Sequence, residues 1–320
     1  MRGWRRWAVP ALVALVALAG CGGGGGGGGA DSRRLSIATG GTGGVYFVYG
    51  GGLAKLITSS LEGYEATAEV TSASVDNMTL IGDEKTAVAF TLADTASDAV
   101  QGRGSFKEQV PAQALARLYT NYTQVVATAG KGIDRIEDLK GKRVSVGAPN
   151  SGTEVIALRI LEAAGLDPDD LRRQQLGVAE SVQAVKDGSL DAFFWSGGLP
   201  TGAVTDLATS RKIVLLPTDE YVQPLRSQYG EVYAKTTIEG GIYKGVADGV
   251  AVIGVPNYLV VNRSMSEDLA YQLTKLLFEK QPELVKVHPE AKNLDRETAQ
   301  QVTPLELHPG AQRYYQEAAG

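Results

Sequence analysis

The chain has 320 residues, 43% hydrophobic and 21% charged, a formal charge of −5 and a single cysteine. That length supports two domains and a sizeable core, while the acidic balance argues against nucleic acid or an anionic membrane surface as partner. One cysteine excludes an internal disulfide framework.

Residues 1–20 carry Arg2, Arg5 and Arg6, then an apolar run over 8–19. The run is shorter than the roughly 20 residues a bilayer span needs and reads as a secretory signal. It closes on Leu18-Ala19-Gly20-Cys21. Small residues before a cysteine resemble the lipobox of bacterial lipoproteins, which predicts acylation of Cys21 as the mature N-terminus; an uncleaved anchor or a plain signal peptide is the competing reading. Residues 22–29 are all glycine, too costly in backbone entropy to hold structure, and read as a tether. Losing the leader removes three of the 31 basic residues and leaves 28 against 36 acidic ones, a formal charge of −8.

Beyond the tether, strands and helices alternate. Leu35 and Ile37 mark a first strand, and Val48, Leu53, Leu56 and Ile57 give a helical stripe. A strand is predicted over 66–70, a helix over 77–81, and strands over 87–91 and 124–127. A strand over 143–147 runs into a helix over 154–164. Buried-type strands follow over 190–195 and 213–216. Leu269, Leu273, Leu276 and Leu277 stripe a late helix, with Ser264 and Glu267 at the S-x-x-E spacing of a capping box. This alternation predicts an α/β fold with mixed sheets flanked by helices.

Three strand ends carry small polar residues ahead of a helix start. At "ATGGTGGVYF" the glycines let backbone approach a ligand, and the following helix offers unpaired N–H groups to an anion. Tyr46 stands where a dinucleotide fingerprint needs its third glycine, and no G-x-x-x-x-G-K-[ST] occurs. "TSASVDN" places Ser72, Ser74 and Asn77 at a second helix start, and "GAPNSGTE" places Ser151, Gly152 and Thr153 at a third, with Ser151 and Glu154 at capping-box spacing. Each alone reads equally as a plain cap; three together point to a shared crevice at the carboxyl ends of strands, holding a small polar or anionic ligand. Catalysis finds little footing. His288 and His308 each precede Pro, G-x-S-x-G is absent, and Asp169/Asp170 reads as solvated. No spacing resembles a metal site, and no cofactor is expected.

The stretches "ATGGTGGVYF", "SVDNMTLI" with Asp94 following, "IEDLKGKRVSVGAPNSGTE", "DAFFWSGGLPTGAV" and "LHPGAQRYYQE" resemble the TAXI-type (TRAP-associated extracytoplasmic immunogenic) solute-binding receptors, from about Arg34 onward. The resemblance implies a two-lobed type II periplasmic-binding-protein fold with two crossover strands, fitted here by 119–127 and 250–261. It divides the chain into a signal peptide (1–20), lipidated cysteine and tether (21–32), lobe one (33–121 plus 258–320) and lobe two (122–257). It implies a non-enzymatic receptor, monomeric, lipid-anchored outside the cytoplasmic membrane. Such a receptor delivers glutamate, glutamine, 2-oxoglutarate or a similar small acid to a TRAP permease. Matching positions are Thr42, Gly43, Gly44 and Tyr46; Ser74 and Asn77; and Ser151, Gly152 and Thr153, where a carboxylate would be received. Asp94 either holds an ammonium group or caps a helix. Phe194 and Trp195 either wall the cleft or are buried strand residues. Leu92 stands where a polar residue is expected, which leaves room for a more apolar acid. An ABC-importer receptor and a ligand-presenting lipoprotein for a sensor kinase remain the alternatives, with an exported enzyme behind them.

Overall fold

The computed structural model describes residues 33–319; the predicted signal peptide, Cys21 and glycine tether lie outside them. The first half runs β1 (Arg33–Ala38), α1 (Val45–Ser60), β2 (Tyr64–Glu69), α2 (Ser74–Gly82), β3 (Val88–Leu92), α3 (Ala93–Gln101) and β4 (Ala112–Thr128). The middle holds β5 (Arg143–Ser145), α4 (Gly152–Ala163), β6 (Arg172–Gln174), α5 (Val178–Lys186), β7 (Ala192–Gly197), α6 (Gly202–Ser210), β8 (Ile213–Leu216), α7 (Val222–Tyr229) and β9 (Ala234–Ile238). The chain closes with β10 (Val250–Asn262), α8 (Glu267–Glu279), α9 (Gln281–Val287) and α10 (Pro309–Ala318). Among the described residues no helix is long and apolar enough to cross a membrane.

All ten strands join one mixed sheet in the order β2-β1-β3-β10-β4-β7-β5-β6, with β8 on β4 and β9 on β10. Strands β1, β2 and β3 are parallel, as are β5, β6 and β7. The predicted strand over 124–127 is the far end of the 17-residue β4. This strand pairs antiparallel with β10 from Ala112 to Tyr122, then with β7 and β8 from Tyr122 to Thr128. Strand β10 likewise pairs with β9 over Val250–Gly254 and with β3 over Asn257–Val260. Both predicted crossings therefore exist as continuous strands serving both sides of the sheet.

Helix α1 shows how sequence sets packing. Its glycines look like helix breakers, yet a Cβ at Gly50 would stand 2.5 Å from Thr39 Cγ2, and one at Gly52 would stand 2.9 Å from Val287. Leaving out those side chains lets α1 lie close on β1 and α9, while Tyr49, Leu53 and Ile57 are fully buried. The late helix begins two residues beyond the predicted Ser264. The Asn262 side chain accepts the Ser264 N–H at 2.9 Å and closes a turn there, so Ser266 becomes the cap, accepting the Leu269 N–H at 3.4 Å. Ser264 instead donates to Glu84 at 3.1 Å.

Ala73, the N-cap of α2, has φ 81 and ψ −141. Alanine is strained there at a cost of about 1–3 kcal/mol. Ala73→Gly should raise stability by about 1 kcal/mol after the glycine's greater unfolded-state entropy is counted; a chemical denaturation midpoint that falls refutes it. Asp191, in the turn before β7, accepts the Arg143 Nη2 at 2.7 Å, Nε at 3.0 Å and backbone N–H at 3.1 Å. The Arg143 side chain above all holds its carboxyl down from 3.8 to about 2. A depressed acid stabilises above its unfolded value, and that contribution fades as pH falls through the folded one. Asp191→Asn should therefore cost roughly 2 kcal/mol near neutral pH, and the gap to wild type should close between about pH 4 and pH 2. Parallel stability curves over that range rule this out.

Candidate functional site

The parallel strands end on one side, and their C-terminal loops enclose a cavity of about 300 Å³. The loop after β1 brings Gly44, Val45 and Tyr46; the loop after β2 brings Thr71, Ser72, Ala73 and Ser74; β3 ends there at Leu92. From the other side come Ser151, Gly152 and Thr153 after β5, Gln175 to Val178 and Glu180 after β6, and Trp195 and Ser196 of β7. Tyr119 and Asn121 of the crossing strand β4 line it as well. This is the crevice at strand carboxyl ends that the sequence pattern predicts.

Helices α1, α2, α4 and α5 all start at this cavity. Three of them have no side-chain cap, so the partial positive charge of their first turns is left to whatever fills the space. Among the described residues the lining contains no lysine, arginine or histidine, and Glu180 is its one charged side chain. Two contacts need missing side chains. A Cβ at Gly44 would stand 2.9 Å from Trp195 Cη2, so glycine lets the indole lie over the start of α1. A Cβ at Gly152 would stand 2.6 Å from both Leu92 Cδ1 and Ser74 Oγ, so glycine lets α4 close against the opposite wall. The Trp195 ring is fixed by its Nε1 donating to Thr201 Oγ1 at 2.9 Å.

The hydroxyls have defined roles. Ser151 Oγ accepts the Glu154 N–H at 3.0 Å, and Thr153 Oγ1 accepts the Ser196 N–H at 3.2 Å, so each keeps its proton for another acceptor. The capping box is only half formed: the Glu154 carboxylate takes the Asn150 N–H, because Ser151 N–H goes to Ala148. Ser74 Oγ accepts the Leu92 N–H at 3.1 Å. Tyr46 bonds to Asn257 beneath the cavity, and burial raises its phenol far above the ordinary value.

Of the residues predicted from sequence, Gly44, Tyr46, Ser74, Ser151, Gly152 and Thr153 meet at this cavity. The others lie elsewhere. Thr42 is exposed and Gly43 faces Val178 and Ala203. The amide of Asn77 donates to the carbonyls of Thr39 and Phe90, tying α2 to β1 and β3. Phe194 is 1% exposed in the core, so its neighbour Trp195 walls the cleft instead. Asp94 lies in the first turn of α3, where it accepts the Thr95 N–H at 2.7 Å, and its other oxygen faces Tyr233 and Arg159. His288 caps a short turn and His308 caps α10, each through Nδ1, and neither is among the cavity's lining residues. Sequence reasoning missed Tyr119, Asn121, Gln175, Glu180 and Ser196. Asn121, a polar residue inside the β-rich run "LARLYTNYTQVVA", was the available signal.

Solved structures share this fold. One described as a periplasmic transporter matches with a TM-score of 0.56 at 11% identity, over 90% of this chain and 96% of that one. The binding component of an ABC phosphonate transporter from Pseudomonas aeruginosa matches with a TM-score of 0.53 at 14% identity, over 81% and 79%. The chain has the periplasmic-binding-protein fold, and since residues 37–319 match the NMT1-like family, it belongs to that family.

Proposed function

We propose that the protein is an extracytoplasmic solute-binding receptor that takes a small carboxylate between two closing lobes, 33–121 plus 258–320 and 122–257. The carrying observation is a cavity of about 300 Å³ walled from both sides of the sheet by four helix starts, with no cationic side chain. A carboxylate there meets N–H dipoles and the free protons of Ser151 and Thr153. The volume is at the small end of ligand sites. Leu92, Val178 and Trp195 suit an apolar portion, so apolar acids join glutamate, glutamine and 2-oxoglutarate as candidates. Cys21 would carry the lipid anchor, and the partner would be a membrane permease. The ABC phosphonate component that shares the fold favours an ABC-type partner, whereas the TRAP reading rests on the TAXI-like stretches. Uptake in reconstituted vesicles that requires ATP supports the first, and uptake on an ion gradient alone supports the second.

A thermal-shift panel of amino acids, organic acids, phosphonates and sulphonates tests the ligand class. A true ligand at 100 times its dissociation constant adds about 2.7 kcal/mol, a rise of about 5 °C for a chain of this size. Response only to neutral sugars or metals defeats the carboxylate reading. Gly152→Ala should push the walls apart and weaken binding about 10- to 100-fold. The free protein, able to relax open, should keep its melting temperature within about 2 °C. Wild-type affinity in that variant would mean the walls do not close on the ligand.

A further inference from the structure

Tyr46 differs from the Ser74, Ser151 and Thr153 hydroxyls of the lining, and the cause lies outside the cavity. Asn257 on β10 is fully buried and does not line the cavity. Its Nδ2 stands 3.3 Å from the Tyr119 carbonyl oxygen and 2.8 Å from Asn121 Oδ1. A carbonyl oxygen only accepts, so the amide nitrogen must be on that side and Oδ1 must face Tyr46. Asn121 is oriented the same way, its Nδ2 donating to the Ser196 carbonyl at 3.1 Å. Tyr46 therefore has to donate to Asn257 Oδ1. Burial raises its phenol, so the proton is present throughout the physiological range.

The consequence is that Tyr46 has the opposite polarity to the Ser151 and Thr153 hydroxyls of the same lining. Ser151 and Thr153 have their oxygens occupied by backbone N–H groups and present protons. Ser74 likewise has its oxygen occupied by the Leu92 N–H. Tyr46 has its proton committed and presents lone pairs only. We infer that Tyr46, held by Asn257, is a specificity-determining acceptor that selects ligands bearing a donor beside the carboxylate: 2-amino or 2-hydroxy acids over 2-oxo acids. A 2-oxo group would set two acceptor oxygens against each other. This rests on the carboxylate reading above and narrows it.

Matched pairs test it by calorimetry on the purified folded chain: glutamate with 2-oxoglutarate, leucine with 4-methyl-2-oxopentanoate, and phenylalanine with phenylpyruvate. The amino member of any pair that binds should be tighter by about tenfold or more, the size of one charged hydrogen bond. Tyr46→Phe should bring that ratio to within about threefold, because a lost hydrogen bond weakens only the donor-bearing member. Asn257→Leu frees the phenol proton and should lower or reverse the ratio. Reading the ratio separates selectivity from general damage, which weakens both members alike. A preference for the oxo member, or a ratio unchanged in Tyr46→Phe, overturns the inference while leaving the receptor reading intact. Failure of every member of all pairs to bind overturns the carboxylate reading and this inference with it.

Discussion

The antiparallel pairing of β4 with β10 is the constraint on which the rest of the structure depends. Without it the strands on either side would be two separate sheets, since each long strand gives one end to each side. The ladder also fixes where the cavity can form. Tyr119 and Asn121 of β4 line it, and Asn257 of β10 bonds to Asn121 across the ladder. Any rotation of one side against the other must pass through these backbones near Asn121 and Asn257. The polar chain from Tyr46 through Asn257 and Asn121 to Ser196 runs through that same place. Cavity lining and crossing strand thus share one polar chain, which in the proposed receptor would give a physical route from an occupied cleft to the geometry of closure.

A second tie joins α3 to α4. Arg159 on α4 bonds to Asp98 on α3, donates to Tyr233 at 2.7 Å and lies 3.9 Å over the Tyr229 ring. Asp94 accepts from Tyr233 at 3.1 Å and sits 3.8 Å from Arg159 Nη1. Burial pushes the Asp94 carboxyl up, while Arg159 and the Thr95 N–H oppose that. Losing one partner of such a cluster leaves a buried charge uncompensated, at about 3–5 kcal/mol. Asp94 is therefore better explained as part of this tie between α3 and α4 than as a contact to solute.

The order of elements was legible because periodicity and turn chemistry are local. Leu35 and Ile37, Leu53 and Ile57 of the α1 stripe and the α4 cap fall where the sequence pattern puts them, whereas Val48 of that stripe is exposed. The short edge strands β6 and β9 were not, since Arg172–Gln174 is polar throughout and Ala234–Ile238 is mostly exposed. The site divided in the same way. Loops at strand ends announce themselves through glycines and small hydroxyls, so Gly44, Ser74 and Ser151 were visible. Whether a side chain then turns to ligand or to backbone depends on partners far along the chain. Asn77 looked like a ligand residue and ties α2 to β1 and β3; Ser196, one residue past a predicted buried strand, faces the cavity. Nothing within a few residues of either distinguishes them.

Among the described residues the cleft lining has no basic side chain, and for the proposed carboxylate ligand that has a mechanical consequence. An arginine clamp on one wall could grip a carboxylate with the cleft open, so binding would not require closure. Here each hydroxyl or N–H bond nets only about 0.5–1.5 kcal/mol, somewhat more to a charged acceptor, and the donors are split between walls that meet only where Gly152 lets α4 approach Leu92 and Ser74. In the proposed receptor no single wall would hold the ligand firmly; the closed arrangement would, because it brings both sets to the same molecule and removes water between them. The differential affinity driving such a closure would then be nearly the whole binding free energy. The same property makes release simple, since a partner that parts the walls by a small distance breaks several weak bonds at once.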